Sequence, residues 1–160
     1  MVIPELPEDL SPILRHLEAA YPNEGCGLVF RGADGTLRVQ PMQNAYDRYH
    51  AVDPQTYPRT ARTAYTFDGR EHLRVSREAE ARGETLTCIF HSHADVGAYF
   101  SAEDEAMAAP GGEPLYPGVA YLVVAVDKGR TTAAKIFRWV AGRFEAEELA
   151  LLLREETESS

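Results

Sequence analysis

Cysteine is scarce in this chain. Cys26 and Cys88 are the whole complement in 160 residues. Two isolated cysteines exclude a disulfide framework and a Cys-x-x-Cys zinc site. No run approaches the roughly 18 apolar residues of a membrane-spanning helix. The first residues, MVIPELPEDL, lack both the basic n-region and the apolar h-region of a signal peptide, so a cytoplasmic location is expected. Positive charge is also short: 16 Lys and Arg stand against 25 Asp and Glu, a net charge of −9. That excludes the broadly basic face needed for non-specific binding to nucleic acid or anionic membrane, and neither partner is expected. Lysine is rarest of the charged types. Lys128 and Lys135 are the two, so 14 of the 16 basic residues are arginine, which suits planar carboxylate recognition. Internal repeats and low-complexity tracts are lacking. Histidine stops early, with none after His93.

What remains is an ordinary globular composition, 44% hydrophobic and 26% charged. The length suits one domain that buries its own core, over residues 1–152, with a solvated tail at 153–160 that ends REETESS. Leu10, Ile13, Leu14 and Leu17 recur at helical spacing, with Ser11 as N-cap and Pro12 as first helical residue. Strands are predicted over 25–32 and 36–42 about the turn ADG at 33–35. Residues 43–69 read as irregular, being polar and aromatic with Pro54 and Pro58. A helix follows over 70–83, its apolar stripe supplied by Leu73 and Val75, with Gly83 at its C-terminal end. A strand at 84–93, a helix at 101–109, a central apolar strand at 117–126 and a hairpin over 132–149 about Ala141-Gly142 complete the order. The fold class is α+β or α/β, one mixed sheet flanked by helices.

The chemistry concentrates in HSHADVGAYFSAEDEA, residues 91–106. Alternate residues of a strand share a face, so His91 and His93 can converge on one ion. They sit where the strand gives out, which predicts an ion at a sheet edge open to water. Two imidazoles and a carboxylate, with water as fourth ligand, suit zinc. Two carboxylates compete. Asp95 continues the alternation as His-x-His-x-Asp, a pattern that resembles metallo-β-lactamases. Those need a histidine where Val96 stands, and more further on. The cupin pattern also fails, because residues 94–100 contain no Glu. Asp104 is the other candidate. It sits three residues after Ser101 at a helix start, a spacing that also describes a capping box. Far upstream, Glu24 stands at the mouth of a strand beside Gly25 and Gly27, which permit close backbone approach. Cys26 and Cys88 read as small buried side chains. His16, His50 and His72 read as ordinary polar positions.

Glu24, His91-x-His93, seven residues, then Ser101-x-x-Asp104 together resemble the JAMM motif of the JAB/MPN metalloproteases. The surrounding PNEGCGL, DVGAYFSAED and YPGVAYLVVAV stretches are similar as well, and the resemblance spans roughly residues 10–140. It is closest to the small prokaryotic branch, whose members look like peptidases of ubiquitin-fold sulfur-carrier proteins. Ala94 stands where many members have Pro. The resemblance implies a cytidine-deaminase-like MPN architecture. It implies Zn²⁺ on His91, His93 and Asp104, with Glu24 as general base and Ser101 as oxyanion donor. Asp95 then falls to a loop-structuring role. The implied substrate is a carrier cut after its C-terminal Gly-Gly, held by strand addition at a sheet edge. The alternatives are a non-catalytic module that binds a ubiquitin-like partner, and a general isopeptidase. Arg48, Arg59, Arg62 and Arg70, in or beside the irregular segment, are candidates to meet carrier acids or a terminal carboxylate. Homodimerisation stays open.

Overall fold

Leu10, Ile13, Leu14 and Leu17 do line one face of a helix, α1 (Ser11–Ala20). Ile13 and Leu17 are fully buried, worth about 1.5–3 kcal/mol each. Its N-cap is Leu10, not Ser11, and no side chain caps it. The Ser11 N–H is instead taken by the Asp9 carboxylate at 3.0 Å. The computed structural model describes residues 3–151, so the predicted tail lies outside the described residues.

After α1 come β1 (Cys26–Arg31), β2 (Leu37–Met42), α2 (Tyr46–Val52), α3 (Gly69–Ala81), β3 (Thr85–Ala94) and α4 (Ala102–Ala108). A single 3-10 turn at Pro110–Gly112 leads to β4 (Ala120–Asp127), β5 (Arg130–Val140) and β6 (Arg143–Glu148). The helix α2 corrects the expectation of an irregular 43–69. Asn44 starts it by accepting the Tyr46 N–H at 3.0 Å. In α3 the Asp68 carboxylate accepts the Glu71 N–H at 2.9 Å. Val75 and Ala79 form the buried stripe of α3 while Leu73 faces outward, half exposed. Gly83, at φ +75°, takes the left-handed turn that ends it.

The strands form one mixed sheet in the order β2-β1-β3-β4-β5-β6. The β3–β4 pair is parallel and every other pair is antiparallel. That one parallel step requires a crossover, and α4 lies within it. One face carries Val29, Cys88, Phe90, Leu122 and Val124 and packs on α1. The other carries Leu28, Ile89, Tyr121, Val123 and Phe137 and packs on α3, Tyr65 and Ala108. The predicted α+β sheet flanked by helices is the observed one, with β4 central as its apolar run requires.

One positional expectation is overturned. The histidine strand is β3, third of six, paired with β1 as far as His91 and with β4 as far as Ala94. The sheet edges are β2 and β6, so strand addition to a sheet edge is unavailable beside His91.

Candidate metal centre

The two-residue period of β3 sends Cys88, Phe90 and Ser92 toward α1 and Ile89, His91 and His93 toward α3 and α4. The loop 95–100 then returns the chain so that α4 begins over the carboxyl end of β3. Ser101 caps α4 by accepting the Asp104 N–H at 3.0 Å, and the Asp104 carboxylate takes the Ser101 N–H at 3.0 Å. The same Asp104 oxygen, Oδ2, lies 3.1 Å from His91 Nε2 and 3.2 Å from His93 Nε2. The two Nε2 atoms are 3.3 Å apart. Capping therefore leaves Asp104 able to ligate, because one oxygen can serve both through separate lone pairs.

Asp95 is placed elsewhere. The strand ends at Ala94, and Asp95 takes a left-handed φ of +64° that breaks the alternation. Its carboxylate accepts the Tyr21 hydroxyl at 2.6 Å and the Lys128 N–H at 2.9 Å. It ties the loop to α1 and to the β4–β5 turn.

The donor triangle suits a small ion. Ligands about 2.0–2.1 Å from a tetrahedral zinc stand about 3.3 Å from one another, and the three contacts here are 3.1–3.3 Å. His93 Nδ1 lies 3.1 Å from the Gly97 carbonyl. A carbonyl accepts and does not donate, so that nitrogen carries the proton and Nε2 offers a lone pair in the neutral ring. Burial pulls the His91 pKa down against the pull of Asp104, so this ring is neutral near pH 7. Its face stacks on Tyr65 at 4.4 Å, and its Nδ1 is buried with no hydrogen-bond partner. Burial pushes the Asp104 carboxyl up. The His91 and His93 imidazoles at 3.1 and 3.2 Å outweigh that, with the Ser101 N–H adding to them, and hold it well below the usual carboxylate range. The result is one anion between two imidazoles. These three donor atoms could hold an ion with a position left open, whereas a closed structural zinc site takes four protein ligands.

Glu24 reaches the histidines from the other side. Its backbone is fixed at both ends: its N–H bonds Ala61 at 2.7 Å and its carbonyl accepts Asn44 Nδ2 at 2.9 Å. Next to it, Gly25 N–H donates to Ser92 Oγ at 2.8 Å and Gly25 C=O accepts Ser92 N–H at 3.0 Å. A side chain at Gly25 would meet Leu17 Cδ2 at 2.9 Å, so glycine lets α1 close over this junction. Glu24 is 4% exposed, and its Oε1 is buried with no hydrogen-bond partner. Burial first, and the Asp104 charge second, raise its pKa to about 9, with Arg59 opposing. Glu24, His91 and His93 form a second trio of possible ligands, spread over as much as 4.8 Å. The Asp104 trio is the tighter, and the looser Glu24 contact suits a group acting across one water.

Ser101 Oγ accepts from Asp104, while its hydroxyl proton has no acceptor among the described residues. Ser92 and Asn44 are supporting residues without a sequence signal. Asn44 also holds Ala64 C=O at 2.9 Å, beside Tyr65. Cys26 is buried and its thiol is pushed well above the usual range, chiefly by burial, which leaves no thiolate nucleophile. His16 is a half-buried polar position whose Nε2 sits between the carbonyls of Cys26 and Met42 at 2.8 and 3.1 Å. Of the four arginines, Arg48 pairs with Asp68 and Arg59 with Glu103, while Arg62 and Arg70 are exposed. A cavity of about 480 Å³ opens beside Asp104, lined among others by Tyr46, Tyr57, Arg59, Tyr65 and Glu103. A larger groove of about 710 Å³, between α3 and the sheet, touches none of Glu24, His91, His93 and Asp104.

A family model described as prokaryotic homologs of the JAB domain matches residues 7–156. Two solution structures are similar over nearly their full lengths. A protein of Desulfitobacterium hafniense is 26% identical with a TM-score of 0.63, over 90% of this chain and 88% of that one. A protein of Salinibacter ruber is 27% identical with a TM-score of 0.53, over 92% and 89%. No curated protein sequence matches.

Proposed function

Because the chain belongs to the prokaryotic homologs of the JAB domain, we propose that it is a zinc-dependent peptidase that cuts after the C-terminal Gly-Gly of a ubiquitin-fold sulfur-carrier protein. At the family level this is a domain that includes metal-dependent hydrolases, and the chain has a Glu-His-His group able to hold a metal ion. The observation that carries the finer reading is the donor triangle of His91, His93 and Asp104, with the Glu24 carboxylate buried against it.

In this reading His91 Nε2, His93 Nε2 and Asp104 Oδ2 hold the ion. Zinc, when bound, supplies Lewis acidity and brings the pKa of water toward about 7. Every other task falls to side chains. Glu24 takes a proton from the attacking water as the oxygen–carbon bond forms. It returns that proton to the amine as the carbon–nitrogen bond breaks. A dication beside Glu24 opposes the upward push of burial on its pKa, which suits a base. The Ser101 hydroxyl donates to the carbonyl oxygen as negative charge develops there. Gly97 C=O fixes the His93 tautomer, and Ser92 holds Gly25 so that Glu24 keeps its place.

The carrier as substrate rests on the motif and on family membership. Its narrow Gly-Gly tail suits a buried site: His91 is 0% and His93 3% exposed. The test is to incubate zinc-loaded protein with a carrier extended past Gly-Gly and weigh the products. A single cut after Gly-Gly is expected. An intact carrier that binds without cleavage would replace the peptidase with a binding module.

A further inference from the structure

Arg59 is the one cation among the described residues lining the cavity beside Asp104. Its backbone is anchored. The Arg59 N–H faces the Tyr46 hydroxyl at 3.4 Å, and two residues on, the Ala61 N–H donates to Asp47 at 2.7 Å. Its guanidinium is held less firmly. It donates to Glu103 Oε1 at 2.6 Å and to the Thr63 carbonyl at 3.3 Å. Both side chains of the ion pair are about half exposed, 42% for Arg59 and 52% for Glu103. Such exposed pairs contribute about 0–1 kcal/mol, so Glu103 is an exchangeable partner. A carboxylate entering the cavity offers the same guanidinium two oxygens in a less hydrated place, where charge-assisted bonds are stronger.

We propose that Arg59 is the recognition site for the free α-carboxylate of the segment leaving with the cut, and that this carboxylate displaces Glu103 from it. The inference rests on the peptidase reading above and narrows its substrate. A cavity of about 480 Å³ suits a ligand of a few residues. The substrate is then a carrier bearing a short C-terminal extension, not two folded proteins joined by an isopeptide bond. Water supplies the hydroxyl to the carrier's new C-terminal carboxylate and a proton to the departing amine, so the step balances. Tyr46, Tyr57 and Tyr65 supply apolar walls around the arginine.

The test measures binding and does not depend on turnover. Glu24→Gln protein is titrated with a fluorescent ubiquitin-fold carrier ending Gly-Gly-Ala, once as the free acid and once as the C-terminal amide. The acid is expected to bind about tenfold tighter, the scale of one charged hydrogen bond. Arg59→Ala in that background abolishes the difference. Glu103→Ala tightens the acid and leaves the amide unchanged, an opposite effect that loss of folding cannot imitate. Equal binding of acid and amide, or a preference that survives Arg59→Ala, overturns the inference. If wild-type protein still cuts both forms, the peptidase reading stands alone. If neither form binds and neither is cut, both fall.

Discussion

Glu24 and Asp104 are buried carboxyls beside the same two histidines, yet their surroundings push them in opposite directions. Asp104 accepts the Ser101 N–H, lies against both imidazoles and is held anionic, whereas Glu24 has an oxygen with no partner and is raised to about 9. Separated environments of this kind divide a ligand from an acid–base group. At this scale the account predicts that Asp104→Asn loses zinc and Asp95→Asn keeps it. Loss of a mere outer-shell partner weakens metal affinity about 10–100-fold, so loss of a ligand should exceed that. Metal content of the two purified variants decides it, and the reverse pattern would move the ligand to Asp95. The Ser101 and Asp104 spacing was legible because a capping box is a local pattern. Ser92 was not, since its partner Gly25 lies 67 residues away. Asn44 was not, since its bonds reach 17–20 residues in either direction.

Among the elements, β1 carries the tightest steric demand. A side chain at Gly27 would stand 2.2 Å from Phe90 Cζ and 2.8 Å from the Gln40 carbonyl. Gly27→Ala should therefore destabilise the fold by about 1–3 kcal/mol, measured as a lower urea midpoint. An unchanged midpoint would mean that β1 and β3 can separate without cost. Elements with strong periodicity or local caps were readable, as α1, α4 and β4 illustrate. The helix α2 was not, because of its seven residues Tyr46 alone is buried and no apolar stripe marks it. The position of β3 was misread for a different reason. A sequence gives a strand's end but not its neighbours, and β1 lies between β2 and β3 through pairings set by tertiary packing.

Across the whole molecule, the N-terminal segment is tied to the far half of the sheet. Arg138 on β5 holds both oxygens of Glu5 at 2.7 and 2.9 Å, and Thr87 Oγ on β3 donates to the Glu5 carbonyl at 2.9 Å. The Arg138 hydrogen bonds are the largest influence on the Glu5 carboxyl and hold it below its ordinary value of 4.5. A depressed carboxyl stabilises the fold fully above its unfolded pKa, and that contribution is lost as pH falls through the folded value. Thermal unfolding from pH 7 down to pH 3 should therefore show a steeper loss for the wild type than for Glu5→Gln. Parallel curves would show that the pair contributes nothing.

The central claim is that one buried acid performs proton transfer beside a metal that other residues hold. It is tested most directly by comparing wild-type and Glu24→Gln proteins, each loaded to the same measured zinc content, on a carrier extended past Gly-Gly. The account predicts equal zinc and a rate about 10²–10⁴-fold lower for the variant, the usual range for a lost general base. Equal zinc with equal rates would contradict it.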